Sequence, residues 1–224
     1  MNNPEGDVSM ETRLQYSKRE DFFNAASHGL GVLLAISGSV IMIVYAARLQ
    51  NLTSVVSVVI YGLSMIAMYL MSTLYHAARH NRSKQILQIF DHASIFLLIA
   101  GCYTPLTLIL LGGTPRALIL LAAVWVAAII GVILNAVNLA RMGRVSMVLY
   151  LLMGWAALME IRNIATLLGT AGTVLLIAGG LTYTVGVVFY KMKSIKYMHC
   201  IWHLFVLAGS VLHYLCILRY VILA

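Results

Sequence analysis

Apolar residues in this chain come in long runs, separated by short clusters of charged or turn-forming residues. A hydrocarbon core about 30 Å thick takes roughly 20 residues of helix to cross, and helix satisfies the backbone groups that lipid cannot. Cutting the runs at their charges predicts seven helices, over residues 22–47, 53–75, 91–111, 117–139, 145–159, 170–190 and 197–223. The fifth is short, hemmed by Arg144, Glu160 and Arg162, so its ends must snorkel or the bilayer must thin around it. The expected fold is all-α and polytopic. Residues 1–19 form a polar cytoplasmic segment, and residues 20–224 a seven-transmembrane-helix bundle.

Composition agrees. Hydrophobic residues make up 62% of the 224, charged residues 10%, and mean hydropathy is +0.93. Soluble domains carry about a quarter charged residues, so a soluble globule is excluded. Three cysteines, an odd number set in apolar runs, exclude a disulfide scaffold.

The net charge of +8 suggests nucleic acid until it is divided along the chain. Residues 1–21 hold five acids and three bases; the remainder holds two acids, Asp91 and Glu160, and twelve bases. Those bases sit in the short gaps and form no patch, which predicts no nucleic-acid partner and a signal of membrane orientation instead. Under seven crossings, all of the 15 Lys and Arg except Arg48, Arg116, Arg162 and Arg219 fall on the N-terminal side. The N-terminus is therefore expected in the cytoplasm and the C-terminus outside. Residues 1–19 lack the apolar core of a signal peptide, so the first helix is expected to direct its own insertion.

Local chemistry fits these cuts. Gly112-Gly113-Thr114-Pro115 reads as a turn, and Pro105 is expected to kink the third helix. The small residues Gly172, Gly179, Gly180 and Gly186 read as close helix packing.

Ionisable groups in membrane spans default to functional candidates. Under this topology His28, His76, His92, His199 and His203, with His80 in a loop, gather at the inner end of the bundle. His213 alone lies deeper, ten residues or about 15 Å past His203. His199 and His203 are four apart on a helix, so both imidazoles leave one face and can reach one metal. Ser72 and His76 share that spacing, as do Glu20, Asn24 and His28. With His76, the pair on the last helix makes three neutral imidazoles with an open fourth position, the arrangement of catalytic zinc. Zinc lowers the pKa of bound water to about 7. Asp91 reads either as the base for that water or as the carboxylate that orients a ligating imidazole. Ser72 reads as a holder of the water or of a substrate carbonyl. Glu20, Asn24 and His28 are expected around the ligands, with His28 equally readable as a structural cap. Histidines bonded to headgroups at the interface are the competing reading of the His199–His203 pair. His80 and His92 read as loop or interfacial residues, and His213 as a buried hydrogen-bonded histidine.

These residues also carry a resemblance. Glu20-x-x-x-Asn24-x-x-Ser27-His28-Gly29, Ser72-Thr73-Leu74-Tyr75-His76, Phe90-Asp91-His92, Tyr103-Thr104-Pro105, Met153-Gly154-Trp155 and the run His199-Cys200-Ile201-Trp202-His203 through Gly209-Ser210 to His213 resemble the hemolysin III family of bacterial membrane proteins. That family lies within the progestin and adipoQ receptors, which include the adiponectin receptors. The likeness runs from about Glu20 to the C-terminus. It implies seven helices with the N-terminus inside, and zinc held by His76, His199 and His203 with Ser72 and Asp91 beside them. It also implies hydrolysis of lipid amide bonds, the ceramidase-like chemistry associated with the receptor relatives, and residence in the bacterial cytoplasmic (inner) membrane.

Three functions are thus expected to compete: a zinc-dependent hydrolase of lipid amide or ester bonds with membrane lipid as substrate, a channel-forming or cytolytic protein, and a zinc-stabilised membrane sensor. A pore wants polar lining through the whole thickness, and the outer end offers little charge besides Glu160.

Overall fold

The structure, a computed structural model, describes residues 16–79 and 82–223. It is helical throughout, with no strand among the described residues. Helix α1 spans Lys18–Arg48, α2 Leu52–Ala77, α3 Arg82–Pro105, α4 Pro115–Gly154, α5 Ile161–Lys191 and α6 Met198–Ile217. Wider π-helical turns, Leu106–Leu110 and Leu218–Ile222, prolong α3 and α6, and a 3-10 turn, Ala156–Glu160, joins α4 to α5. Of the expected segment 1–19, residues 1–15 lie outside the described residues, as does His80.

Each start has a local cause. Ser17 and Glu20 form a reciprocal capping box at α1, which satisfies two orphan N–H groups and begins the helix four residues before the apolar run. Asn51 caps α2 through the Thr53 N–H at 2.9 Å. Gly112 and Gly113 both take positive φ, and Thr114 then caps α4 with Pro115 in its first turn. Pro105 supplies no N–H, and the helix widens into the π turn that follows it.

Five helical stretches among the described residues are long and apolar enough to cross a membrane: Lys18–Arg48, Leu52–Ala77, Arg82–Leu110, Pro115–Lys191 and Met198–Ile222. The expectation of seven separate spans is not supported by that count. Its fourth, fifth and sixth helices all fall within Pro115–Lys191. The stretch is not straight, however. Asn138, at φ −159° and ψ 83°, interrupts α4, and Gly169, at φ 64° and ψ −177°, interrupts α5 in a region open essentially to glycine alone.

Long-range packing joins α1 to α2, α2 to α3, α3 to α4 and α5 to α6, and α6 returns against α1. The α5–α6 seam uses the small residues: a Cβ at Gly172 would meet Tyr220, one at Gly179 the His213 ring, and one at Gly186 the side chains of Trp202 and Phe205. Exposed Leu, Ile and Val recur along α1, α2, α4, α5 and α6, as lipid contact requires. The last turn of α2 and the first turns of α6 end up beside the first third of α1, which positions the site.

Candidate metal centre

Three histidines converge there. His76 lies in the last turn of α2, while His199 and His203 occupy the first turns of α6. One ring nitrogen from each lies within 4.8 Å of the others, and His199 Nε2 and His203 Nε2 are 3.1 Å apart. Two nitrogens on one tetrahedral zinc stand roughly 3.3 Å apart, so the His199–His203 pair is close to ligating geometry, with His76 within 4.8 Å of it.

The outer nitrogens determine which lone pair faces inward. His76 Nδ1 is 2.9 Å from Asp21 Oδ1; donating there leaves Nε2 as the acceptor, and Nε2 is buried with no partner. His203 Nδ1 is 3.2 Å from the Asn24 carbonyl and 3.2 Å from Ser27 Oγ, which again turns Nε2 toward the cluster. A buried nitrogen lone pair without a donor is costly, and a cation at the centre would satisfy it. The donor set, three neutral imidazoles, suits zinc.

Around the three lies a shell built largely by α1. His28 stacks on His203, ring centroids 3.6 Å apart, and meets Tyr69 edge-on; both of its ring nitrogens are buried without partners. Asn24 stands between two ligands, its carbonyl toward His203 and its amide nitrogen 3.5 Å from His76 Nδ1. Tyr16 stacks on His199 at 4.8 Å and leans on His76 at 5.5 Å, covering the cluster from the polar side. Burial pushes the Tyr16 phenol above its ordinary value, aided by nearby Tyr75, so it stays neutral.

Glu20 touches none of the three ligands. Besides capping α1, its carboxylate accepts the Tyr197 N–H at 2.9 Å. Tyr197 is the left-handed residue (φ 65°) immediately before α6. Glu20 thereby ties α1 to the start of the helix that carries two ligands.

A cavity of about 130 Å³ opens from this cluster into the bundle. His28, Ser72, Asp91, His92, His199 and His203 line it at one end. Farther along, Met68, Leu98, Leu151, Val187 and Val206 make the wall apolar, with Cys102, Trp155, Gly180 and His213 also contributing. Ser72 Oγ is buried and unpartnered, and Asp91 Oδ2 lies 3.4 Å from His92 Nδ1. The structure thus brings His76, His199, His203, Asn24 and His28 together, and sets Ser72 and Asp91 in the adjoining cavity wall. His92 lines that wall rather than a loop, its Nδ1 2.9 Å from the Gln88 carbonyl. His213 is hydrogen-bonded as expected, Nε2 to the Leu176 carbonyl at 3.1 Å.

Sequence reasoning missed Asp21, Lys84 and Tyr16. Asp21, Asn24, His28, Gly31 and Ala35 form the buried stripe of α1; an acid at the head of such a stripe was the available signal. Lys84 Nζ reaches the other Asp21 oxygen at 2.6 Å.

The chain as a whole has known relatives. Residues 16–214 match the family described as Haemolysin-III related. The chain is 39% identical over 211 residues to Hemolysin-3 of Bacillus cereus, covering 94% of this chain and 96% of that protein. It is 41% identical over 205 residues to the Hemolysin-3 homolog of Bacillus subtilis (strain 168), covering 92% and 96%. It is also 30% identical over 205 residues to the Monocyte to macrophage differentiation factor of Homo sapiens, covering 88% and 82%.

Proposed function

The chain belongs to the haemolysin-III-related family, and on that footing we propose that it is a zinc-dependent hydrolase of lipid amide or ester bonds. The observation that carries this reading is the convergence of His76, His199 and His203 beside a largely apolar cavity that His199 and His203 line. When bound there, zinc supplies a Lewis acid for a carbonyl and a water nucleophile at neutral pH. The residues do the rest. The apolar wall holds acyl chains, Ser72 donates to the carbonyl oxygen, and Asp91 accepts the proton lost by the attacking water. His28 and Asn24 pack the ligands in place, and Tyr16 keeps bulk water from the cluster.

We further propose that Pro115–Lys191 crosses the membrane three times, giving seven crossings with the N-terminus in the cytoplasm of a bacterial inner membrane. The breaks at Asn138 and Gly169 support this, as does the one-sided distribution of Lys and Arg. The histidine cluster then lies at the cytoplasmic end.

The test is elemental analysis of the detergent-purified chain joined to a lipid-hydrolysis assay. One zinc per chain, lost in His76→Ala and in His203→Ala together with turnover of a ceramide or fatty-acid ester, is expected. Metal retained at full stoichiometry in both variants removes the proposed ligands. A lytic reading draws on the name of the Bacillus cereus relative, Hemolysin-3. Dye leakage from liposomes that persists unchanged in His203→Ala would favour lysis over hydrolysis.

A further inference from the structure

Asp21 stands at a place where a carboxylate is hard to explain by helix formation alone. Glu20, its neighbour, already completes the capping box and holds Tyr197. Asp21 instead turns inward: it is 8% exposed, at the head of the buried stripe of α1. A carboxylate in such a position needs partners for both oxygens, and it has them. Oδ1 lies 2.9 Å from His76 Nδ1 and Oδ2 lies 2.6 Å from Lys84 Nζ. The three groups come from three helices, α1, α2 and α3, so the string is built by tertiary packing.

The consequence falls on His76. Its side chain is fully buried; its other nitrogen, Nε2, has no hydrogen-bond partner and belongs to the three-histidine cluster. We infer that Asp21 is the positioning carboxylate of this metal site: it accepts a hydrogen bond from the Nδ1–H of His76, fixes the ring's tautomer and rotation, and so presents Nε2 as a ready ligand. Lys84 holds Asp21 from behind and neutralises its charge. Asn24 cannot replace Asp21, because its amide nitrogen, at 3.5 Å from Nδ1, is a donor and would favour the opposite tautomer. His203 obtains the same orientation from a backbone carbonyl, so His76 is the ligand that depends on a charged side chain. Carboxylates placed behind a metal-bound imidazole raise its basicity and fix its aim, and their loss typically costs 10- to 100-fold in metal affinity.

This inference rests on the zinc reading, and one experiment separates the two. Zinc affinity is measured for the full chain in detergent by competition with a chromophoric chelator, for wild type, Asp21→Ala, Asp21→Asn, Lys84→Ala and His203→Ala. Cobalt substitution provides a spectroscopic check on ligand number. Asp21→Ala is expected to bind about 10- to 100-fold more weakly while reaching the same stoichiometry and keeping the tetrahedral cobalt bands. Asp21→Asn, whose amide oxygen still accepts from Nδ1, is expected between Ala and wild type, and Lys84→Ala within a few-fold of wild type. Affinities of Asp21→Ala and Asp21→Asn both within twofold of wild type, beside a His203→Ala that fails to bind, would overturn the role of Asp21 and leave the zinc site standing. A wild-type chain that takes up no zinc would overturn the zinc reading itself, and this inference with it.

Discussion

Ser146 Oγ donates to Asn135 Oδ1 at 2.6 Å, although 11 residues separate them. In a straight helix they would stand about 16 Å apart, so the chain must turn back between them. The break at Asn138 supplies the turn, and its side chain accepts the Arg141 N–H at 3.1 Å, as a new helix start requires. Trp155 Nε1 likewise reaches Thr184 Oγ1 at 3.0 Å across 29 residues, which requires a second reversal.

Single cysteines introduced into a chain whose native Cys102, Cys200 and Cys216 are replaced will test what these reversals mean in the membrane. With an impermeant maleimide on intact cells, positions 113 and 163 are expected to label from outside, and positions 143 and 194 only after permeabilisation. If 143 and 163 label from the same side, the proposal of three crossings in Pro115–Lys191 is wrong.

Tyr103 governs the end of α4. Its hydroxyl donates to the Gly154 carbonyl at 3.1 Å and accepts the Ala157 N–H at 2.7 Å. Tyr103→Phe removes both bonds and leaves a part-buried N–H and carbonyl without that partner. A loss of about 1–3 kcal/mol is expected, read as a lowered unfolding midpoint in a detergent denaturation series. No change would mean that the 3-10 turn does not depend on this contact.

The histidine cluster was legible because its evidence is local: four-residue spacing on α6 and positions near helix ends survive errors of a few residues. Depth was less legible. His28 was expected at the head of a helix beginning at residue 22, yet the Ser17–Glu20 capping box starts α1 at Lys18 and puts His28 nearly three turns inside. The start of α3 was hidden likewise: it runs from Arg82, and the polar residues Lys84, Gln85 and Gln88 lie in a helix that hydropathy alone begins at residue 91. Asp21 was counted with the acidic N-terminal residues, and only the buried face of α1 distinguishes it from Glu20. The polar end of the cavity follows from the spacing of His28, Ser72, Asp91, His199 and His203, but its apolar extension had no linear signal, since its wall is drawn from α1 to α6.

Gly179 and Gly29 make a contrasting pair in stability. A Cβ at Gly179 would overlap the His213 ring, which is itself held by the Leu176 carbonyl. Gly179→Ala is expected to cost about 1–3 kcal/mol through overpacking. At Gly29 a Cβ would meet only Thr73 Cγ2 at 3.8 Å, an ordinary contact. Gly29→Ala is therefore expected to be neutral or to stabilise by up to about 1 kcal/mol from helix propensity. Thermal unfolding of both in one detergent checks the order, and a Gly179→Ala midpoint at or above that of Gly29→Ala would contradict the seam as drawn.

Gly180 separates the acyl-binding and metal-binding parts of the proposed hydrolase. It lines the cavity on α5, near His213 and outside the group formed by His76, His199 and His203, and a Cβ there would lie 3.5 Å from the Trp155 ring, so the position has room for a larger side chain only at the expense of the cavity. Gly180→Leu should leave zinc content unchanged, because no ligand or partner of a ligand is touched. Filling the space an acyl chain would occupy costs about 1–3 kcal/mol, which is roughly 5- to 150-fold in kcat/KM toward a long-chain lipid. A short-chain ester, needing less of the cavity, should lose less. Equal losses for long and short chains would place the acyl group elsewhere, and full long-chain turnover in Gly180→Leu would remove this cavity from substrate binding.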